Sequence, residues 1–177
     1  MLTRGVTTGL MRKHTRIFFI LLLFALVPVL AGAIEIGKPA PGFKLKTLAG
    51  EKVSLADYQG QVVLLKLATT WCPTCAQLTK ELAAIGDFLK EREVVLLEVF
   101  IQDTEEMVAR YLEGKSYPMM HKVLLDDRQV YKAYGIYLIP RFLVLDREHR
   151  VRYDNGATAA IPPAEEIRTL VEAALKN

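Results

Sequence analysis

Two cysteines, Cys72 and Cys75, stand two residues apart in the string Thr-Trp-Cys-Pro-Thr-Cys (70–75), behind the only tryptophan, Trp71. Dithiol redox, half a metal site, haem attachment and an inert staple are the four chemistries open to a C-x-x-C pair. A bridge across two residues closes too small a loop to add much stability. Zinc asks for four ligands, and past the N-terminal segment only His121 and His149 are left to complete a set. Attached haem asks for histidine directly after the second cysteine, where Ala76 stands.

The redox reading draws on position. An apolar, partly β-branched run (61–68, QVVLLKLA) precedes the pair, and Leu78, Leu82, Ile85 and Leu89 recur behind it at helical spacing, predicting a strand and then a helix over 73–90. Cys72 therefore falls at a helix N-terminus, where unpaired N–H groups and the positive end of the dipole stabilise a thiolate. Cys75 lies one turn on and on the same face, so a disulfide opens and closes there with little backbone motion. One sulfur attacks and the other resolves the mixed disulfide.

Two other functions stand beside this one. Thr69 sits three residues before Cys72, the T-x-x-C spacing of a thiol peroxidase, although the proline such enzymes carry upstream is absent and Cys75 would go unexplained. Met119, Met120 and His121 offer soft ligands that, with the cysteines, would make a metal-binding or metallochaperone module; methionine more often fills core gaps, and no metal is expected. His149 lies in a charged turn and is expected to be solvated.

The elements that must hold the pair follow from pattern. Segments 43–48 and 51–55 alternate around Gly50 and predict a hairpin. Segment 93–101 reads as a second buried strand, 121–126 as a short one, and 141–146 and 149–156 as a pair joined by a turn. Asp103, with Glu106 as its capping-box partner, is expected to open one helix. Asp127 opens another that Gly135 ends, and Pro162-Pro163 begin the last. Strands alternating with helices, then an antiparallel pair, imply an α/β fold with a mixed central sheet flanked by helices.

The chain has 177 residues and a formal net charge of +3. Four of its 23 basic residues, Arg4, Arg12, Lys13 and Arg16, precede residue 34 with no acidic residue among them, leaving 19 basic against 20 acidic side chains beyond. No basic patch there suggests nucleic acid as a partner. Arg12–Arg16, the apolar run 17–30 and Ala31-Gly32-Ala33 form a signal-peptide pattern. We read 1–33 as a signal peptide, with an uncleaved anchor over 17–34 as the alternative, and 34–177 as one domain outside the cytoplasm, periplasmic or equivalent. The true start is Met1 or Met11.

The stretch GKPAPGFKLKTLAGEKVSLADYQGQVVLLKLATTWCPTC and the later VLLDDRQVYKAYGIYLIPRFLVLDREHRVRY resemble the thioredoxin superfamily, in particular the TlpA/ResA/DsbE-like thiol-disulfide oxidoreductases. The resemblance implies a thioredoxin fold with an N-terminal β-hairpin and a central helix-strand insert over 104–126, expected to shape the partner surface more than the chemistry. It implies Cys72 as the exposed nucleophile and Cys75 as the buried resolving thiol. Trp71, Pro73 and Thr74 shape the site, Pro140 is the cis-proline facing it, and Ile139 offers its backbone to a substrate chain. The partners implied are disulfides of proteins and a membrane thiol-relay electron donor, with no cofactor beyond the Cys72–Cys75 disulfide and no membrane contact except through the N-terminal segment. Reduction is favoured over oxidation, and the Trp-Cys-Pro-Thr-Cys string is most like the branch serving cytochrome c maturation.

The chain departs from that family at three positions. Lys66 stands where a buried aspartate or asparagine is usual, Leu78 where glutamate is frequent, and Arg141 where threonine or glutamate follows the cis-proline. A buried, neutral Lys66 would take the Cys75 proton during resolution; a Lys66 that stays charged, like Arg141, would tune the site by stabilising a thiolate and making the disulfide more oxidising, against the direction the family favours.

Overall fold

Strand β3, Val63–Ala68, has all six residues buried, because the sheet is covered on both faces at its centre. We describe the chain from a computed structural model covering residues 34–156 and 158–176; the expected targeting segment at 1–33 lies outside them. Strands β1 (Lys44–Lys46), β2 (Lys52–Ser54), β4 (Val95–Phe100), β5 (Met120–Leu125), β6 (Arg141–Leu145) and β7 (Val151–Asp154) join β3 in a seven-stranded sheet of order β2-β1-β5-β4-β3-β6-β7. The centre, β3-β4-β5, is parallel, while β6 and β7 on one side and the β1–β2 hairpin on the other are antiparallel.

Alternation along β3 and β4 divides the core. Val63, Leu65, Leu67, Val95, Leu97 and Val99 face the hairpin, a short 3-10 turn (Leu55–Tyr58) and helix α4 (Gln129–Ala133). Leu64 and Leu96 face the other way, onto α1 (Pro73–Ala84), α2 (Gly86–Glu91) and α5 (Ala164–Leu175). Lys66 and Glu98 continue this second set, so both point beneath α1.

The expected single helix over 73–90 is two helices that meet at Ile85. At this junction Pro118 packs so tightly on Gly86 that a Cβ there would lie 2.1 Å from the proline Cγ. The helix Glu105–Leu112, α3, is capped by Thr104, which accepts from the Met107 N–H at 3.3 Å, and not by Asp103. Asp126, expected to end a strand, accepts from the N–H groups of Val130 and Tyr131 and so holds the start of α4, while Asp127 accepts from Gln129. His149 is buried, not solvated, and its Nε2 lies 3.1 Å from the Tyr58 carbonyl.

The insert contributes structure as well as surface. Its strand β5 pairs with β4 along six residues and, through Leu125 and Lys46, joins the N-terminal hairpin to the sheet. Among the described residues no helix is long and apolar enough to cross a membrane.

Candidate active site

Cys72 is the N-cap of α1, and Pro73 fills the first helical position, where a missing N–H costs nothing. The Cys75 N–H donates to Cys72 Sγ at 3.1 Å. A thiolate on Cys72 would accept the same bond with full charge, at the positive end of the helix. The two cysteines form a disulfide. Cys72 is 9% exposed and Cys75 1%, so the first sulfur is the one nearer to solvent.

The loop entering the pair is tied to the far side of β4. Thr70 donates to the Asp103 carboxylate from both its backbone N–H and its hydroxyl, each at 2.8 Å. Trp71, Pro73 and Thr74 lie outward around the disulfide, and Trp71 is 67% exposed, which is not the position of a core aromatic. Thr69 Oγ1 is buried with no hydrogen-bond partner among the described residues.

Opposite the pair, the Ile139–Pro140 peptide is cis, and the Ile139 side chain packs on Ala68, Cys72 and Cys75. Two side chains hold this loop. Asn155 donates to the Pro140 carbonyl at 3.0 Å and to the Ala160 carbonyl at 3.1 Å, and accepts from the Phe142 N–H at 2.8 Å. Arg141 grips Asp154 through two bonds of 3.0 and 2.6 Å and also donates to the Tyr134 carbonyl. Its guanidinium thus braces the loop from behind, already paired with a carboxylate.

Beneath the pair lies a polar cluster inside the apolar layer. Lys66, 1% exposed, reaches Glu98 Oε1 and Thr79 Oγ1, both at 2.5 Å. Thr79, one turn after Cys75, donates to the Cys75 carbonyl at 3.1 Å. The second oxygen of Glu98 lies 2.9 Å from His121 Nε2. Burial pushes the Glu98 pKa up, but the hydrogen bond to His121 and the charge of Lys66 outweigh it and hold the carboxyl below its ordinary value, hence ionised. Around the cluster stand Tyr117, whose ring centre is 4.2 Å from that of His121, and Tyr111, over which Lys115 lies. Burial raises the pKa of both phenols, so they stay protonated.

Cys72, Cys75, Trp71, Ile139 and Pro140 therefore meet at one end of the sheet. Lys66 lies one layer below and is neither lone nor solvated. Leu78, at the family's glutamate position, is core, and Glu81 turns away to accept from the Ala164 N–H at the start of α5. Met120 is half exposed and lies on the face of β5 opposite His121, so these two do not converge. Among the described residues no group of three or more His, Cys, Asp or Glu is placed to hold a metal. Sequence reasoning missed Glu98, Asp154 and Asn155, and weighed His121 only as a metal ligand. A charged residue in the middle of the apolar run 93–101 was the available signal for Glu98; the others are brought in only by tertiary pairing.

The AhpC/TSA family matches residues 36–154. The thiol-disulfide oxidoreductase ResA of Bacillus cereus is 26% identical over 157 residues, covering 80% of this chain and 87% of the relative. The thioredoxin-like protein YneN of Bacillus subtilis is 33% identical over 120 residues, covering 65% and 68%. The crystal structure of the thioredoxin domain of a thiol-disulfide oxidoreductase from Bacteroides vulgatus superposes with a TM-score of 0.67 at 21% identity, over 80% of this chain and 98% of that one, and shows the shared fold. The chain belongs to the AhpC/TSA family, within the thioredoxin superfamily, and its C-x-x-C pair is that of a thiol-disulfide oxidoreductase.

Proposed function

We propose that this thiol-disulfide oxidoreductase of the AhpC/TSA family works outside the cytoplasm as a reductant of disulfides in partner proteins. The observation that carries the direction is the pairing of both nearby cations. Lys66 is bound to Glu98 and Arg141 to Asp154, so neither offers an uncompensated charge that would favour the dithiolate and make the disulfide oxidising. The apolar N-terminal run with its small-x-small ending supports the location, and the Trp-Cys-Pro-Thr-Cys string supports cytochrome c maturation as the process served.

In the reaction the Cys72 thiolate, held at the N-terminus of α1, attacks one sulfur of the partner's disulfide. A Cys72–partner bond forms, the partner's own S–S bond breaks, and its other sulfur leaves as a thiolate that takes a proton. Cys75 then attacks Cys72, restoring the internal disulfide and releasing the second partner thiol. The backbone at Ile139 is free to pair with an extended partner segment across from the cysteines. Electrons return from a membrane thiol-relay donor by the same exchange in reverse, and no bound cofactor takes part. Equilibration with glutathione tests the direction. A potential below about −200 mV supports the reductant, and one near −120 mV makes the protein an oxidant.

The orphaned Thr69 hydroxyl favours a second reading, peroxide reduction. Cys72 would be oxidised to a sulfenic acid and condense with Cys75, releasing water. This reading requires peroxide consumption that a Thr69→Val variant loses.

A further inference from the structure

Thr70 stands two residues before Cys72 and is fastened from outside its own loop. Its backbone N–H donates to one oxygen of the Asp103 carboxylate and its hydroxyl to the other, each at 2.8 Å. Both oxygens thus serve this one residue. Helix α3, which follows Asp103, does not call on them, because Thr104 caps it. Beside the clamp the Ile101 N–H donates to the Ala68 carbonyl at 2.8 Å, so backbone alone already joins the ends of β3 and β4.

The chain takes an unfavourable path to bring Asp103 there. Gln102 has a φ of 61°, in the left-handed region that side chains rarely adopt. Such a conformation persists where its surroundings over-determine it, and it gathers at functional sites.

The clamp holds what the helix does not. Cys72 is the N-cap of α1 and lies outside its regular turns. When the disulfide opens, the covalent tie to Cys75 is gone. Upstream, the Cys72 N–H reaches the Thr69 carbonyl only at 3.5 Å, a long bond. The attacking sulfur must nevertheless meet a partner's disulfide along the axis of the bond that breaks, and a misplacement of about 1 Å can cost about 10²-fold in rate.

We propose that Asp103 is a positioning residue for the attack of Cys72: through Thr70 it fixes the turn at 69–72, and with it the direction from which the Cys72 sulfur approaches a partner's disulfide. The inference rests on dithiol exchange at Cys72 and Cys75. Asp103 acts through Thr70 and exchanges no proton or electron. One S–S bond forms as the partner's breaks, and the departing sulfur leaves as a thiolate. A brace that served only the fold would change stability and leave the rate of this step in the folded protein as it was. Asp103 also carries charge, and an anion near Cys72 disfavours its thiolate. The test therefore separates geometry from charge.

The measurements use the Cys75→Ala protein, in which Cys72 is the one thiol. Intact mass follows two reactions at neutral pH, attack on a peptide closed by a single disulfide and alkylation by iodoacetamide. Both need the thiolate, so their ratio cancels the thiolate fraction, while the small alkylating reagent reaches the sulfur from any open side. Asp103→Ala removes the clamp and the charge. Asp103→Asn removes only the charge, since its Oδ1 still accepts from the Thr70 N–H and its Nδ2 donates to the Thr70 hydroxyl. The ratio of exchange to alkylation is expected to fall about tenfold in Asp103→Ala and to stay within about twofold of the parent in Asp103→Asn. Thr70→Val, which loses the hydroxyl bond alone, is expected to fall about threefold, and Thr70→Ser to restore the parental ratio.

A parental ratio in folded Asp103→Ala overturns the proposal, and equal losses in Asp103→Ala and Asp103→Asn overturn it by assigning the effect to charge. If Asp103→Ala does not fold, the Thr70 pair decides, and a parental ratio in Thr70→Val overturns the clamp. If the parent forms no mixed disulfide with the peptide, the exchange reading itself fails; if it forms one and the variants match it, only the positioning role fails.

Discussion

Lys66 on β3 and Glu98 on β4 face each other in register, ammonium to carboxylate at 2.5 Å, each 1% exposed. This one pair changes the meaning of the most unusual residue in the chain. A lysine at that point would be expected to snorkel to water, or to lose its proton in apolar surroundings. Instead a carboxylate at the fourth position of the otherwise apolar β4 receives it, and Thr79 and His121 satisfy what remains.

Removing one partner of such a pair leaves the other charged and buried. Lys66→Met is expected to cost about 3–5 kcal/mol in urea unfolding. Lys66→Met combined with Glu98→Leu is expected to return most of that loss, to within about 1 kcal/mol of the parent. A double variant as unstable as the single one would mean that the pair itself, and not the stranded charge, holds the fold.

The Glu98 carboxyl has a folded pKa below its ordinary value of 4.5. The unfolded chain therefore binds this proton more readily than the folded one, and stability rises with pH through that window. The contribution is present above the ordinary value and is lost as pH falls through the lower, folded value. Unfolding free energies measured from neutral to acid pH should fall more steeply below about pH 4.5 in the parent than in the Lys66→Met/Glu98→Leu variant. Identical slopes would place the shift elsewhere.

Gly86 is where the insert reaches the helical layer. A Cβ there would collide with the Pro118 ring, so Gly86→Ala is expected to cost about 1–3 kcal/mol. Restoring room with Pro118→Ala should recover part of it, and a thermal shift assay on the single and double variants reads both. An alanine without cost would show that the Pro118 ring moves aside freely.

Most of the frame was legible before any coordinates. Alternation located the hairpin, the unbroken apolar runs located β3 and β4, and the C-x-x-C at a strand–helix junction located the site. Runs of one chemical character report on local burial, which is why they read well. Single residues at element ends read poorly. Asp103 looked like a cap but fastens Thr70, and Asp126 looked like a strand end but holds α4. The helix over 73–90 read as continuous because the apolar spacing of Leu78, Leu82, Ile85 and Leu89 runs unbroken across the junction at Ile85. His149 looked solvated because its neighbours are charged, while the fold tucks it under Tyr58. Lys66 was the sharpest departure from the family pattern, and its partner could not be chosen from sequence, since β3 and β4 meet only in the sheet.

The account stands most directly on the unequal roles of the two cysteines, and trapping reads them. Cys75→Ala and Cys72→Ala variants, each reduced and then mixed with a disulfide-bonded protein, are compared by intact mass under non-reducing conditions. Cys72 is the N-cap thiol nearer to solvent, so Cys75→Ala is expected to accumulate a covalent mixed disulfide with the partner and Cys72→Ala to accumulate none. Equal trapping by the two variants, or trapping by Cys72→Ala alone, would contradict the assignment and the exchange mechanism built on it.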